Sequence, residues 1–463
     1  MNLEEGLKIL DGVVFSKINR HLKDVEIIVL KGSWQGLNYD EIASNEGYAA
    51  KYLRQDVGFK LWKLLSEALG EEVNKTNFRA AIERSHSLSS GESQFIDRNI
   101  LPTEVQQLES WHQDSCSTVK NELLPEYPEG SVQLTSAFYI QRMPIEERCY
   151  ETILHPGSLI RIKAPHQMGK TSLLDRIIAH SNQQGYSTVR LNLLQAETTV
   201  FSNLDKFLRW FCAYVSYKLK LSTLLQESWD EYRGSIINCT TYFEDNILIK
   251  INSNLVLALD EVDRVFQYPE ISQGFFAMLR SWHEEAKTIE IWENLRLVVV
   301  HSTENYGSLD INQSPFNVGL VVELTEFTKE QIEDLAQRHK LDYNQTQVQQ
   351  LMSLLGGHPY LIRLALYRLA LGDITLEKLL QNASTNAGIY EEHLRRFLHT
   401  FKVNTNLTEA FIKVVTATEP VDIETMSAYQ LYSMGLVKRL GDKLTPSCQL
   451  YQQYFREHLK NSN

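Results

Sequence analysis

One stretch constrains this chain more than any other. An apolar run, Leu159-Ile160-Arg161-Ile162-Lys163, gives way to Ala164-Pro165-His166-Gln167-Met168-Gly169-Lys170-Thr171-Ser172 and then to a helical pattern. Strand, tight loop and helix in that order form the P-loop arrangement, whose successive backbone N–H groups at a helix N-terminus cradle phosphate oxygens. The spacing puts Gln167, Met168, Gly169, Lys170, Thr171 and Ser172 around such a phosphate. Lys170 is expected to carry its ammonium to the β/γ-phosphates, and the Thr171 hydroxyl to ligate Mg²⁺. Ala164 stands where the strict motif has glycine, and it is costlier than glycine wherever positive φ is needed. Pro165 biases Ala164 towards the extended geometry of a strand end. The bland alternative is a turn before a core helix.

A second element strengthens the first. Leu255-Val256-Leu257-Ala258-Leu259 is a short apolar run ending in Asp260-Glu261, the pattern of a strand buried on both faces. Carboxylates at that edge lie in the crevice where parallel α/β sheets bind ligands. Asp260 is expected to hold the Mg²⁺ shell and Glu261 to polarise an attacking water, with Lys170 completing the catalytic set. An acidic pair after an apolar run can also be a helix N-cap. The two motifs in this order, about 90 residues apart as one domain allows, point to nucleotide binding.

Net charge is −12, which argues against a chain-wide nucleic-acid or anionic-membrane footprint. The five cysteines, Cys116, Cys149, Cys212, Cys239 and Cys448, are scattered and form no Cys-x-x-Cys pair. Buried thiols in a reducing compartment fit them better than disulfides or zinc. The N-terminus is acidic where a signal peptide would be basic, and no apolar run approaches spanning length. A cytoplasmic protein without membrane contact is the expectation.

In chain order, residues 1–85 read as helical, with a glycine-bearing turn near Gly47 giving a helix-turn-helix layout. On the longer helix that follows, Lys51, Arg54 and Gln55 stand where a recognition helix would meet DNA. The near-balanced charge of the segment, and Trp62 and Gly58 counted onto the outer flank, fit a protein partner or effector as well. Residues 86–130 read as a linker, with helical pattern over 105–124. Residues 131–325 alternate strands and helices, giving a five-stranded parallel α/β sheet. Residues 326–400 read as a helical lid that opens on a capping box at Thr328. Residues 401–463 read as a compact helical unit with a hairpin around Gly441-Asp442, as in a winged helix.

These blocks together resemble the AAA-like domain ATPases of cyanobacteria, relatives of STAND signalling ATPases and origin-recognition-type ATPases. The blocks are Tyr139-Ile140-x-Arg142-x-Pro144, Ala164-Pro165-x-Gln167-Met168-Gly169-Lys170-Thr171-Ser172, Leu259-Asp260-Glu261-Val262-Asp263, His301-Ser302-Thr303-Glu304, Pro315-Phe316-Asn317 and Gly356-Gly357-His358-Pro359. The N-terminal portion resembles the helix-turn-helix domain of vWA-MoxR-associated proteins. The resemblance implies a slow, Mg²⁺-dependent ATPase that switches between ATP and ADP states and engages a partner. Nucleotide-dependent self-association is open to such a protein, as is an alternative life as an initiator-like DNA-binding regulator. It also implies that Tyr139, Ile140 and Arg142 line the adenine end and that Ser302 or Thr303 senses the γ-phosphate. His358 and Pro359 would bring the lid onto the nucleotide. Arg264, Arg280 and Arg363 are the candidates for an arginine finger, each with a structural role as its alternative.

Overall fold

The computed structural model describes residues 125–222, 225–302 and 315–459, together with 22–34, 37–46, 52–69 and scattered positions between 7 and 82. Its chain divides into two compact units, Met1–Thr118 and Val119–Asn463. Lys51, Thr303 and the helix expected over 105–124 lie outside the described residues.

In the first unit, helix Asp24–Trp34 is followed by Tyr39–Glu46, and a wide-turned helical stretch, Tyr52–Gly58, runs directly into Phe59–Leu69. Asn38 starts the second helix: its side-chain oxygen accepts from the Asp40 and Glu41 amides, and the Glu41 carboxylate reaches back to the Asn38 N–H. Two orphan donors are thereby satisfied reciprocally. Val29, Leu30, Ile42, Leu53, Val57, Leu61 and Leu65 form the core. Two sequence expectations are corrected here. Trp62 bonds the Tyr39 hydroxyl at 2.8 Å and packs on Phe78, and Gly58 is buried against the same tyrosine, so neither faces outward. The wide turns before Gly58 take more residues per revolution, so faces counted at 3.6 residues slip out of phase.

The second unit is built on a parallel sheet ordered β2-β3-β4-β1-β5. The strands are β1 Leu159–Lys163, β2 Ser187–Asn192, β3 Leu255–Asp260, β4 Leu295–His301 and β5 Leu320–Glu323. Every residue of β3 and β4 is buried, as continuous apolar runs demand when helices cover both faces. Leu255, Leu257 and Leu259 face an aromatic layer containing Phe207, Phe211, Phe275 and Trp282. Val256 and Ala258 face the other side, with Leu173 and Ile177 of the helix Lys170–Gln183. This period-2 division is what strand geometry requires of one apolar run. Register aligns Asn192 with Asp260 and Lys163 with His301, so the strands' carboxyl ends share one edge.

Beyond the sheet come helices Lys329–Arg338, Gln345–Leu355, Pro359–Ala370, Leu376–Asn382 and Glu391–Val403. The first two start on capping boxes, Thr328 with Gln331 and Asn344 with Gln347. Helices Thr405–Thr416 and Thr425–Ser433, an antiparallel hairpin of β6 Val437–Leu440 and β7 Lys443–Pro446, and helix Gln449–His458 complete the chain. One apolar core runs from Phe327 to Leu459 across the boundary read at 400, and it also takes in Phe138 and Ile140 from upstream of the sheet. Residues 125–130, read as linker, join this unit too: Pro128 is buried and Tyr127 stacks edge-on against Tyr367. Cys149, Cys212, Cys239 and Cys448 are buried free thiols. No described helix is long and apolar enough to cross a membrane.

Candidate functional site

A cavity of about 350 Å³ opens where β1 passes into the Lys170–Gln183 helix, within the ~300–1,000 Å³ usual for small-molecule sites. Its walls bring together Tyr139, Ile140, Arg142, Gln167, Gly169, Lys170, Thr171, Ser172, Asp260, Glu261 and Pro359. Residues between 159 and 172, near 140, near 260 and near 359 thus converge as the sequence reading anticipated.

The loop owes its shape to two left-handed residues, Gln167 at φ 61° and Gly169 at φ 94°. Ala164 is not among the positive-φ residues, so the missing glycine costs nothing in backbone strain. Gly169 also passes the Arg142 guanidinium, which a Cβ would meet at 3.2 Å. Lys170 is buried, and its Nζ donates to the carbonyls of Ala164 and Pro165 at 2.8 Å each. Burial pushes its ammonium down to about 8, against the pull of Asp263, Glu261 and Asp260. Removing a charged amine from water disfavours its charged form.

Opposite, Asp260 is buried and Glu261 takes φ 57°, a sparsely populated conformation of the sort that clusters at functional sites. Burial raises the Glu261 carboxyl, and Asp260 beside it raises it further. Asp260 is bonded at 2.7 Å to Arg190 of β2, whose other Nη reaches Asp175 at 2.7 Å. Oxygen donors here, the Thr171 hydroxyl and the Asp260 and Glu261 carboxylates, are the hard ligands that suit Mg²⁺. No cluster of three or more His, Cys, Asp or Glu among the described residues could hold a metal alone.

At the far end, Glu146 is buried and takes the Arg142 N–H on both oxygens at 2.9 Å and the Tyr139 hydroxyl at 2.8 Å. Arg142 in turn donates to the Met168 carbonyl at 2.7 Å, tying this segment to the loop. Arg176 stacks on Tyr139, 3.3 Å from the ring centroid, and the Ser172 hydroxyl accepts the Val132 N–H at 2.9 Å.

Three expected residues sit elsewhere. Met168, Ser302 and His358 line a second cavity of about 450 Å³ behind the loop, bounded by β5 and the β6–β7 hairpin. The Ser302 N–H donates to Asp263 at 2.7 Å, and burial takes the His358 imidazole down to about 4. Of the three arginine-finger candidates, Arg264 bonds Gln267, Arg280 engages Glu284 and Asn317, and Arg363 alone of the three lines the first cavity, 3.8 Å from Glu126. In the first unit Arg54 is exposed and paired with Asp40 at 2.8 Å, while Gln55 lies within the Tyr52–Gly58 stretch.

Sequence reading missed five residues. Arg190 and His166 line the first cavity, and Glu146 anchors its far wall. Arg396 and His393, on helix Glu391–Val403, both bond the Gln167 side chain at 2.7 Å, and His393 continues to the Tyr451 hydroxyl at 2.7 Å. For Arg190 a signal existed: Thr188, Arg190 and Asn192 alternate with buried Val189 and Leu191, which puts a cation on the polar face of an edge strand.

Residues 127–457 match the sequence model of a family described as an AAA-like domain. Residues 1–85 match the model of the vWA-MoxR associated protein N-terminal helix-turn-helix. No curated protein matches the sequence significantly. Among solved structures, a Walker-type ATPase of Pyrococcus abyssi is similar at 15% identity and TM-score 0.48, covering 69% of this chain and 96% of its own. The ADP form of the ORC2 protein of Aeropyrum pernix aligns at 16% identity and TM-score 0.39, covering 72% and 95%. Cdc6p of Pyrobaculum aerophilum aligns at 15% and 0.38, covering 70% and 97%.

Proposed function

From the premise that this chain belongs to the AAA-like domain family, we propose that it binds ATP with Mg²⁺, hydrolyses it slowly and uses the bound phosphates to set the position of its C-terminal helices. Lys170 and the amides around Gly169 would hold the β- and γ-phosphates. Thr171 and Asp260 would hold the metal, and Glu261 would orient the attacking water. Tyr139, Ile140 and Arg142 would take the base end, and Ser302 or Thr303 would sense the γ-phosphate.

The observation that carries the switch reading is the bonded path Gln167–His393–Tyr451. A phosphate seated on the loop would move a residue already bonded to the lid helix and, through it, to helix Gln449–His458. A discrete rearrangement of this kind is how phosphate state is transmitted in nucleotide switches. In this reading residues 401–463 act as a winged helix at the end of the lid, presenting or hiding a surface for a partner protein or a second copy. Lys170→Ala tests it: nucleotide binding should be lost with the fold retained, and unchanged ATP affinity would end the reading.

A second reading is favoured by the helix-turn-helix match over residues 1–85: ATP-dependent DNA binding through the first unit, with Lys51, Arg54 and Gln55 at the DNA. The Arg54–Asp40 pair would have to open for that contact. Gel-shift titrations across salt concentrations decide it, since phosphate contacts make affinity fall steeply with salt. Absence of salt-sensitive binding would remove it.

A further inference from the structure

The carboxylate given to magnesium already has a cation on it. Asp260, with its side chain 2% exposed, is bonded at 2.7 Å to Arg190, and the same guanidinium holds Asp175. Asp175 lies one helical turn beyond Thr171, so Arg190 ties the loop's own helix to the end of β3 beneath the site where the metal is expected.

Resting on the functional reading above, we propose that Arg190 is the resident counter-ion that Mg²⁺ must displace from Asp260, and that it sets how far nucleotide binding depends on the metal. Its surroundings support exchange. The side chain is one third exposed and lines the same cavity as Lys170, Thr171, Asp260 and Glu261. Its buried Nε has no hydrogen-bond partner, so the head is held by its two Nη contacts. It can therefore release Asp260 and stay tethered to Asp175. A buried carboxylate stripped of its cation is strongly unfavourable, so Asp260 passes from guanidinium to metal and is not left bare. With Arg190 in place, the acids Asp260, Glu261 and Asp263 repel incoming phosphates less, and nucleotide can enter before the metal. Arg190 is thus a positioning residue, acting through Asp260.

The test measures binding of a fluorescent N-methylanthraniloyl-ADP to the full chain, in EDTA and across a Mg²⁺ titration, for wild type, Arg190→Gln and Arg190→Lys. In Arg190→Gln the two arms should move in opposite directions. The Mg²⁺ midpoint should fall about tenfold, and affinity in EDTA should weaken about tenfold, each the effect of one charge contact exchanged. Arg190→Lys, which keeps the charge but loses the two-armed bridge, should shift each arm in the direction seen with glutamine but by only about threefold, and it carries the test if the glutamine variant does not fold. A purely structural role would weaken both arms together and lower the melting temperature. That result, or an unmoved Mg²⁺ midpoint, overturns the proposal. Wild type failing to bind in either arm removes the nucleotide reading itself and this proposal with it. Wild type binding with a midpoint indifferent to residue 190 removes Arg190 alone.

Discussion

Raising the pH across the window in which Lys170 loses its proton should weaken ATP binding in a calculable way. Burial takes this ammonium from its ordinary 10.5 to about 8, a difference of about 3 kcal/mol between charged and neutral forms. Phosphates over the loop restore the charged form, so free and bound protein hold different numbers of protons between pH 8 and 10.5. Affinity should be flat from pH 7 to 7.5, then fall towards tenfold per pH unit, reaching roughly thirtyfold by pH 9.5. Neighbouring groups stay out of the window: the His166 and His358 imidazoles are both pushed below their usual range, and Tyr139 is pushed above its own. The stability of the nucleotide-free protein carries the opposite sign. The unfolded chain binds the extra proton between 8 and 10.5, so this group's contribution to stability rises with pH there. Titration of a fluorescent ATP analogue at saturating Mg²⁺ measures the affinity. Calorimetry in two buffers of different ionisation enthalpy should show up to one proton taken up per ATP near pH 9. A level affinity from pH 7 to 9.5 with no proton uptake would refute the assignment of Lys170 to the phosphates.

Two further outcomes follow from the site and the lid. Glu261→Gln should keep Mg²⁺-ATP binding while phosphate release falls by about two orders of magnitude or more, the usual weight of a group that handles the attacking water's proton; normal turnover in single-turnover assays would take Glu261 out of the chemistry. Gly357→Ala should destabilise the second unit by about 2–4 kcal/mol, because its Cβ would lie 2.2 Å from the Phe327 carbonyl oxygen, in backbone already bonded from Phe327 N–H to the Gly357 carbonyl. A melting temperature equal to wild type would show that the lid's entry turn is slack.

What could be read from the sequence was whatever neighbouring residues decide. The β3 run is apolar because both faces are covered, and the Thr328 capping box needs only residues three apart. The loop's glycine and lysine sit side by side, so the P-loop was visible without a fold. The Arg190–Asp260 bond spans 70 residues, and Gln167 meets His393 and Arg396 across 226 and 229. Neither charge nor periodicity near Gln167 announces those partners. Ser302 and His358 line the cavity behind the loop and not the one holding Lys170, and nothing in their neighbouring residues says on which side of the loop they lie. Trp62 and Gly58 were misplaced for a local reason, since no composition marks where a helix widens.

The short stretch ahead of the sheet has a double allegiance. Phe138 and Ile140 are buried in the apolar core of the lid, while Arg142, two residues on, is bonded to the loop. A fragment cut to begin at β1 would therefore lose one wall of the cavity and also uncover oily surface on helices more than 180 residues downstream. Such a fragment should be poorly soluble, for a reason that its own sequence would not disclose.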